Sequence, residues 1–309
     1  MRKSSRANSV FCAPCNRYGR IWRLFQYSFI ALLALSCKTY AAEQLAPFKD
    51  RLFTSPATLE ERDSGGWRKV DYREVRDINR RDAVPERRVR NAYIDRSVND
   101  SLRDLSYGTS RGVIRFSTVG RADSAGIITV FIHGRGGDRT LGMNDFRFGG
   151  NFNRIKNLMV RNNGLYLVPD AGDFSDEEIV KIRELLIGHL EFNQSAKLFL
   201  ACGSAGGMVC HELANDRQII QRTVGIGFLG SFADSGYVTS FAGRRQIPVY
   251  IAHGSADSIF NVSTLESFYT ELRDQQIPVR MVRFETGGHG TPIRMLDWRA
   301  MLNWALSEN

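Results

Sequence analysis

From about residue 125 the sequence settles into a regular alternation. Short apolar runs rich in β-branched residues lie at 127–132, 165–168, 198–201, 224–229, 249–252 and 279–284. Between them fall stretches with helical spacing, at 151–161, 176–192, 206–216, 262–275 and 292–306. Along 179–190 the apolar positions are Ile179, Ile182, Leu185, Leu186 and Leu190, the one-sided stripe of a helix. Strands that alternate with helices imply a parallel sheet covered on both faces. The fold class predicted is α/β, a mostly parallel sheet with helices on both faces. Chemistry in such sheets gathers in the loops just beyond the carboxyl ends of the strands.

The rest of the chain is read through its charge. The 309 residues carry 42 Lys plus Arg against 33 Asp plus Glu, a net charge of +9. Six of those excess charges fall in residues 1–37, which hold no acid, and 122–309 has two more acids than bases. Basicity is therefore no argument for nucleic acid as a partner of the chain's main part. Arg23 is followed by 14 largely apolar residues, 24–37, too few for a spanning helix. Residues 1–36 are expected to be a secretory signal, with Cys37 as a lipid-anchoring alternative and a secreted or periplasmic product. Membrane association is expected only if Cys37 is lipidated. Residues 37–88 are expected to form an Arg-rich N-terminal arm, a solvated face with paired acids, leading to the main domain at 89–309. Within it, 113–116 reads as an edge strand and 89–98 as another.

Of five cysteines, Cys12, Cys15 and Cys37 lie in the leader or at its end. Cys202 and Cys210 cannot make a disulfide framework and read as small buried thiols. No metal or organic cofactor is implied by any spacing of ligands.

Four loops after strands carry chemistry-bearing residues. Cys202-Gly203-Ser204-Ala205-Gly206-Gly207 places a serine at the apex of a tight strand-to-helix turn. His133-Gly134-Arg135-Gly136-Gly137-Asp138 is a glycine-rich loop; it lacks the lysine of a phosphate-cradling loop. His253-Gly254-Ser255-Ala256-Asp257 and Gly288-His289-Gly290 complete the set. Ser204, Asp257 and His289 thus follow three different strands at one edge of the sheet. In this arrangement His289 would take the serine proton, and Asp257 would orient the imidazole. The N–H groups of Ala205 and of the glycine-rich loop would face a developing oxyanion. Asp170 and Asp234 are fallback acids. His133 and His253 read as structural, and His189, His211, Met208 and Phe199 as packing.

With these four loops in place, residues 125–309 resemble the α/β-hydrolase superfamily, nearest to compact carboxylesterases, acyl-thioesterases and dienelactone-hydrolase-like enzymes. The loop 131–138 is similar to the His-Gly-x-Gly loop of that group, whose x residue lends its N–H; that role transfers to Arg135. Two departures stand out: Cys202 replaces the first glycine of the serine turn, and Ala205 replaces a polar residue. The resemblance implies a secreted serine hydrolase of esters or thioesters acting through an acyl-enzyme. Alternatives are an amidase, peptidase or polymer esterase on the same fold, and a non-catalytic binding protein. The stretch 230–247 is too short for a lid, so the expected substrate is a small or extended ester. Phe232, Tyr237 and Phe241 are expected to line one wall.

Overall fold

The computed structural model describes residues 45–309; the proposed signal with its apolar run, and Cys12, Cys15 and Cys37, lie outside them. Among the described residues twelve strands form in chain order: β1 (Thr58–Arg62), β2 (Trp67–Val70), β3 (Asp82–Ala83), β4 (Arg88–Val89), β5 (Arg103–Thr109) and β6 (Gly112–Gly120) come first. They are followed by β7 (Ile127–Ile132), β8 (Leu165–Pro169), β9 (Lys197–Gly203), β10 (Thr223–Leu229), β11 (Val249–Gly254) and β12 (Val279–Phe284). Ten of them make one sheet in the order β1-β2-β12-β11-β10-β9-β7-β8-β6-β5. The seven strands from β2 to β8 in that order are mutually parallel. Antiparallel strands close both flanks, β1 on β2 and β6–β5 on β8. β3 and β4 pair separately.

Strand alternation divides the core between the two faces. Ile128, Val130 and Ile132 of β7, with Leu198, Leu200 and Cys202 of β9, join one cluster. It packs under the helices Asp176–Phe192, Gly207–Leu213 and Val262–Asp274. Ile127 and Phe131, with Phe199 and Ala201, face the opposite cluster under helices Asn151–Arg161 and Trp298–Ser307. Every residue of β7, β8, β10 and β11 is buried, which is why these strands read as unbroken apolar runs.

Three expectations need correction. Residues 45–88 are not an arm: β2 continues the parallel sheet beyond β12, and the described residues form one compact unit. Trp67 and Val70 are buried while Arg68 and Lys69 stay half-buried, so β2 covers an edge that would otherwise be unpaired. Residues 89–98 are not a strand beyond Val89. They form tight turns at Asn91–Tyr93 and from Ser97, because Asp95 accepts from the N–H and hydroxyl of Ser97. The helix expected at 292–306 breaks in two, Thr291–Met295 and Trp298–Ser307, where Asp297 caps the second through the N–H of Ala300.

Between β10 and β11 the chain makes only two short helical turns, Gly236–Thr239 and Phe241–Arg244. No helical lid lies in this connection. Among the described residues no helix is long and apolar enough to cross a membrane.

Candidate active site

β9 ends at Gly203, and the chain turns sharply through Ser204–Gly206 into helix Gly207–Leu213. Ser204 takes φ +52°, a left-handed conformation that costs a non-glycine residue about 1–2 kcal/mol. The turn is held by neighbours that tolerate no change. A Cβ on Gly206 would meet the carbonyl oxygens of Ile132 and His133 at 2.6 and 2.7 Å. The buried Ser231 hydroxyl donates to the Ser204 carbonyl at 2.7 Å. Ser231 was not singled out in the sequence, where a serine two residues past a strand carries no signal.

Cys202 and Cys210 are not free thiols; they form a disulfide across this turn, with Cα atoms 6.3 Å apart. The last inward-facing residue of β9 and the second turn of the following helix meet because the serine turn folds one back over the other. The position expected to be a glycine is thus one end of a covalent tie around Ser204.

The side chains that sequence placed after three strands converge. His289 Nε2 lies 2.9 Å from Ser204 Oγ, and His289 Nδ1 lies 2.8 Å from Asp257 Oδ2. A carboxylate only accepts, so Nδ1 carries the proton and Nε2 accepts from the serine hydroxyl. The Asp257 side chain is fully buried, and its Oδ1 accepts from the N–H groups of Ile259 and Phe260 at 2.8 and 3.1 Å. His253, also fully buried, places Nε2 2.9 Å from the Phe260 carbonyl and 3.5 Å from Asp257 Oδ2. Burial holds the His253 imidazole below the usual histidine pKa, which favours the neutral form. Its N–H therefore closes the loop that wraps Asp257, the structural part expected of it.

The glycine-rich loop after β7 lies directly over the serine. A Cβ on Gly134 would fall 2.6 Å from Ser204 Cβ. His133 anchors the loop, its Nδ1 2.9 Å from the Gly134 carbonyl and its Nε2 accepting from the Ala171 N–H at 3.0 Å. Arg135 follows, with an exposed side chain. Ala205 lies in the helical segment Ser204–Gly206, whose first N–H groups have no acceptor within the segment.

The wall residues separate. Phe232 is half-buried and tilts against Phe260 at 6.1 Å; Phe260 in turn lies 5.8 Å from the His289 ring. Phe260 went unnoticed in the sequence because only the closing of the Asp257 loop brings it here. Tyr237 does not line the site. It is 1% exposed, packs edge-on against Phe228 and Phe268, and its hydroxyl reaches the Ile247 carbonyl at 3.4 Å. Phe241 packs on the same core beneath Arg217. The fallback acids are engaged elsewhere: Asp170 pairs with Arg139 at 3.2 Å, and Asp234 caps the N–H of Gly236.

No family model matches the sequence, and no curated protein matches it by sequence. Solved structures do match in shape. A thermostable esterase superposes with a TM-score of 0.55 at 16% identity, over 67% of this chain and 63% of that one. A protein of unknown function from Agrobacterium tumefaciens, described as an α/β hydrolase, gives 0.53 at 12% identity over 67% and 95%. An esterase of Pyrococcus furiosus gives 0.50 at 12% identity over 67% and 92%. At these identities the likeness speaks for architecture alone, and it agrees with the mostly parallel sheet and its covering helices. The chain has the α/β-hydrolase fold.

Proposed function

We propose that the protein is a serine hydrolase that cleaves carboxylic esters or thioesters through an acyl-enzyme. The observation that carries this is the hydrogen-bonded series Ser204 Oγ, His289 Nε2, His289 Nδ1 and Asp257 Oδ2, at 2.9 and 2.8 Å. A serine hydroxyl becomes a competent nucleophile only when a base takes its proton as the bond to carbon forms. In the proposed cycle Ser204 Oγ attacks the acyl carbon and its proton moves to His289 Nε2. The buried Asp257 carboxylate stabilises the resulting imidazolium through Nδ1–H. The acyl oxygen, now an anion, accepts from the N–H groups of Arg135 and Ala205. Collapse breaks the bond to the leaving alcohol or thiol, which receives the proton from Nε2. Water then enters, gives a proton to Nε2, and releases the acid by the same steps in reverse.

The short 230–247 connection and the half-buried Phe232–Phe260 pair support an open site for small or extended acyl groups rather than a tunnel. This reading also keeps polyesters and amides in view as substrates of the same chemistry. Hydrolysis of a p-nitrophenyl ester panel by the wild type, Ser204→Ala and His289→Ala tests it; turnover that survives Ser204→Ala removes the assignment.

The export proposed from the leader is supported by the Cys202–Cys210 disulfide, a bond favoured in oxidising compartments. Mass spectrometry of the mature amino terminus tests both the cleavage and lipidation at Cys37.

A further inference from the structure

The Arg-rich segment has no part in the reaction described above, yet it is fastened to the stretch that carries His289. On the near side of the histidine, the Glu285 N–H donates to the Val70 carbonyl at 3.0 Å. The Thr286 hydroxyl donates to the Tyr72 carbonyl at 2.8 Å, and Tyr72 meets Phe284 edge-on at 6.4 Å. On the far side, Arg81 Nη1 donates to the Arg294 carbonyl at 2.6 Å. Arg294 Nη1 returns to Asp82 Oδ2 at 2.8 Å. The guanidinium groups of Arg81 and Arg154 lie over the ring of Phe53, 5.0 and 4.8 Å from its centroid. Arg154 bonds Asp50 and Asp297, the latter just past the helix Thr291–Met295.

These contacts are costly ones. Arg81 is 1% exposed and Arg154 fully buried, and taking a guanidinium out of water costs several kcal/mol that an apolar side chain would not. What a guanidinium adds is direction, since its rigid fork fixes the carbonyl it binds. His289 lies beyond the last ladder residue of β12, Phe284. Its own turn contributes the Gly287 N–H to the Phe284 carbonyl and the Thr291 N–H to the Gly288 carbonyl. On one side the stretch is tied to the loop after β11, the Ala256 N–H donating to the Gly287 carbonyl at 2.9 Å and the Thr286 N–H to Ser255 Oγ at 2.8 Å; on the other side, toward the sheet edge, the contacts from Val70, Tyr72 and Arg81 complete its anchoring.

We propose that residues 50–90 are a brace that positions His289 over Ser204, with Arg81 and the Tyr72–Thr286 bond as its positioning contacts. The inference rests on His289 being the base of the proposed reaction.

The test uses the full mature chain, with active sites counted by a fluorophosphonate titrant and turnover of a p-nitrophenyl ester measured per site. Arg81→Met lowers kcat per titrated site about tenfold with KM unchanged, the signature of a misplaced base rather than a lost binding contact. Arg81→Lys, which keeps a cation and a donor, restores part of it. Thr286→Val removes only the hydroxyl bond and lowers kcat per site about threefold, while Thr286→Ser does not. An unchanged kcat per site in Arg81→Met, whatever its Tm, overturns the brace; should that variant fail to fold, Thr286→Val decides in the same way. A wild type without Ser204-dependent turnover instead removes the proposed reaction itself, so the two failures are told apart.

Discussion

Gly134→Ala is the sharpest steric test of the site. The new methyl would sit 2.6 Å from Ser204 Cβ and 3.1 Å from its Oγ. Ordinary carbon contact begins near 3.4 Å, so the serine must retreat by about 0.8 Å. It has little room to do so, because φ +52° and the Ser231 bond fix its backbone. An equal lengthening of the 2.9 Å bond to His289 Nε2 carries it to about 3.7 Å, beyond the reach of proton transfer. Misplacement on this scale costs about a hundredfold in rate, or roughly 2.7 kcal/mol of transition-state stabilisation. Stability changes less. Gly134 is not in the left-handed region, so the alanine backbone is allowed. The chain-entropy gain of about 0.4–1 kcal/mol offsets part of an overpacking cost of about 1–3 kcal/mol. The assay is kcat/KM on a p-nitrophenyl ester together with the fluorophosphonate labelling rate, with Tm recorded by circular dichroism. A variant within twofold of the wild type in both rates would refute the reasoning, since the loop could not then lie against Ser204.

Three further outcomes follow from the same structure. His211 and His253 are buried and His189 is half-buried, and loss of solvent holds each imidazole below its usual pKa of 6.5. Below about pH 6.5 the unfolded chain therefore binds more protons than the folded one, and Tm should fall between pH 7.5 and 5.5; a Tm that rises over that range contradicts the burial. Replacing Cys202 and Cys210 together by alanine should lower unfolding stability by about 2–3 kcal/mol in urea titrations, the effect of opening a short covalent loop; no change would argue against a formed disulfide. Phe260→Ala should raise KM for long-chain or aromatic esters about tenfold, whereas Tyr237→Phe should leave KM unchanged, and the reverse pattern would reassign the wall.

The parallel heart of the sheet was legible because β7 to β11 are buried on both sides and read as plain apolar runs. The loops bearing Ser204, Asp257 and His289 were legible because each follows such a run within a few residues. What escaped reading lies where local pattern is weak and long-range pairing decides. β1, Thr-Leu-Glu-Glu-Arg, is exposed or half-buried throughout, and β2 shows only Trp67 and Val70 to the core. Nothing in four residues announces that they will pair with β12 more than two hundred positions away. Cys202 and Cys210 looked like separate thiols because their meeting depends on the serine turn between them. Tyr237 looked like a wall residue because the side-chain direction in a short loop depends on the turn at Gly236–Thr239, which points it into the core. Ser231 and Phe260 act through a carbonyl and a loop closure, neither of which has a motif.

The central claim is that Ser204 is the nucleophile activated by His289. Treating the folded protein with a fluorophosphonate, digesting it and mapping the adduct by mass spectrometry tests this most directly. One adduct per chain on the peptide containing Ser204, lost in Ser204→Ala and strongly slowed in His289→Ala, is the result predicted. An adduct on another residue, or labelling that persists in Ser204→Ala, would contradict it.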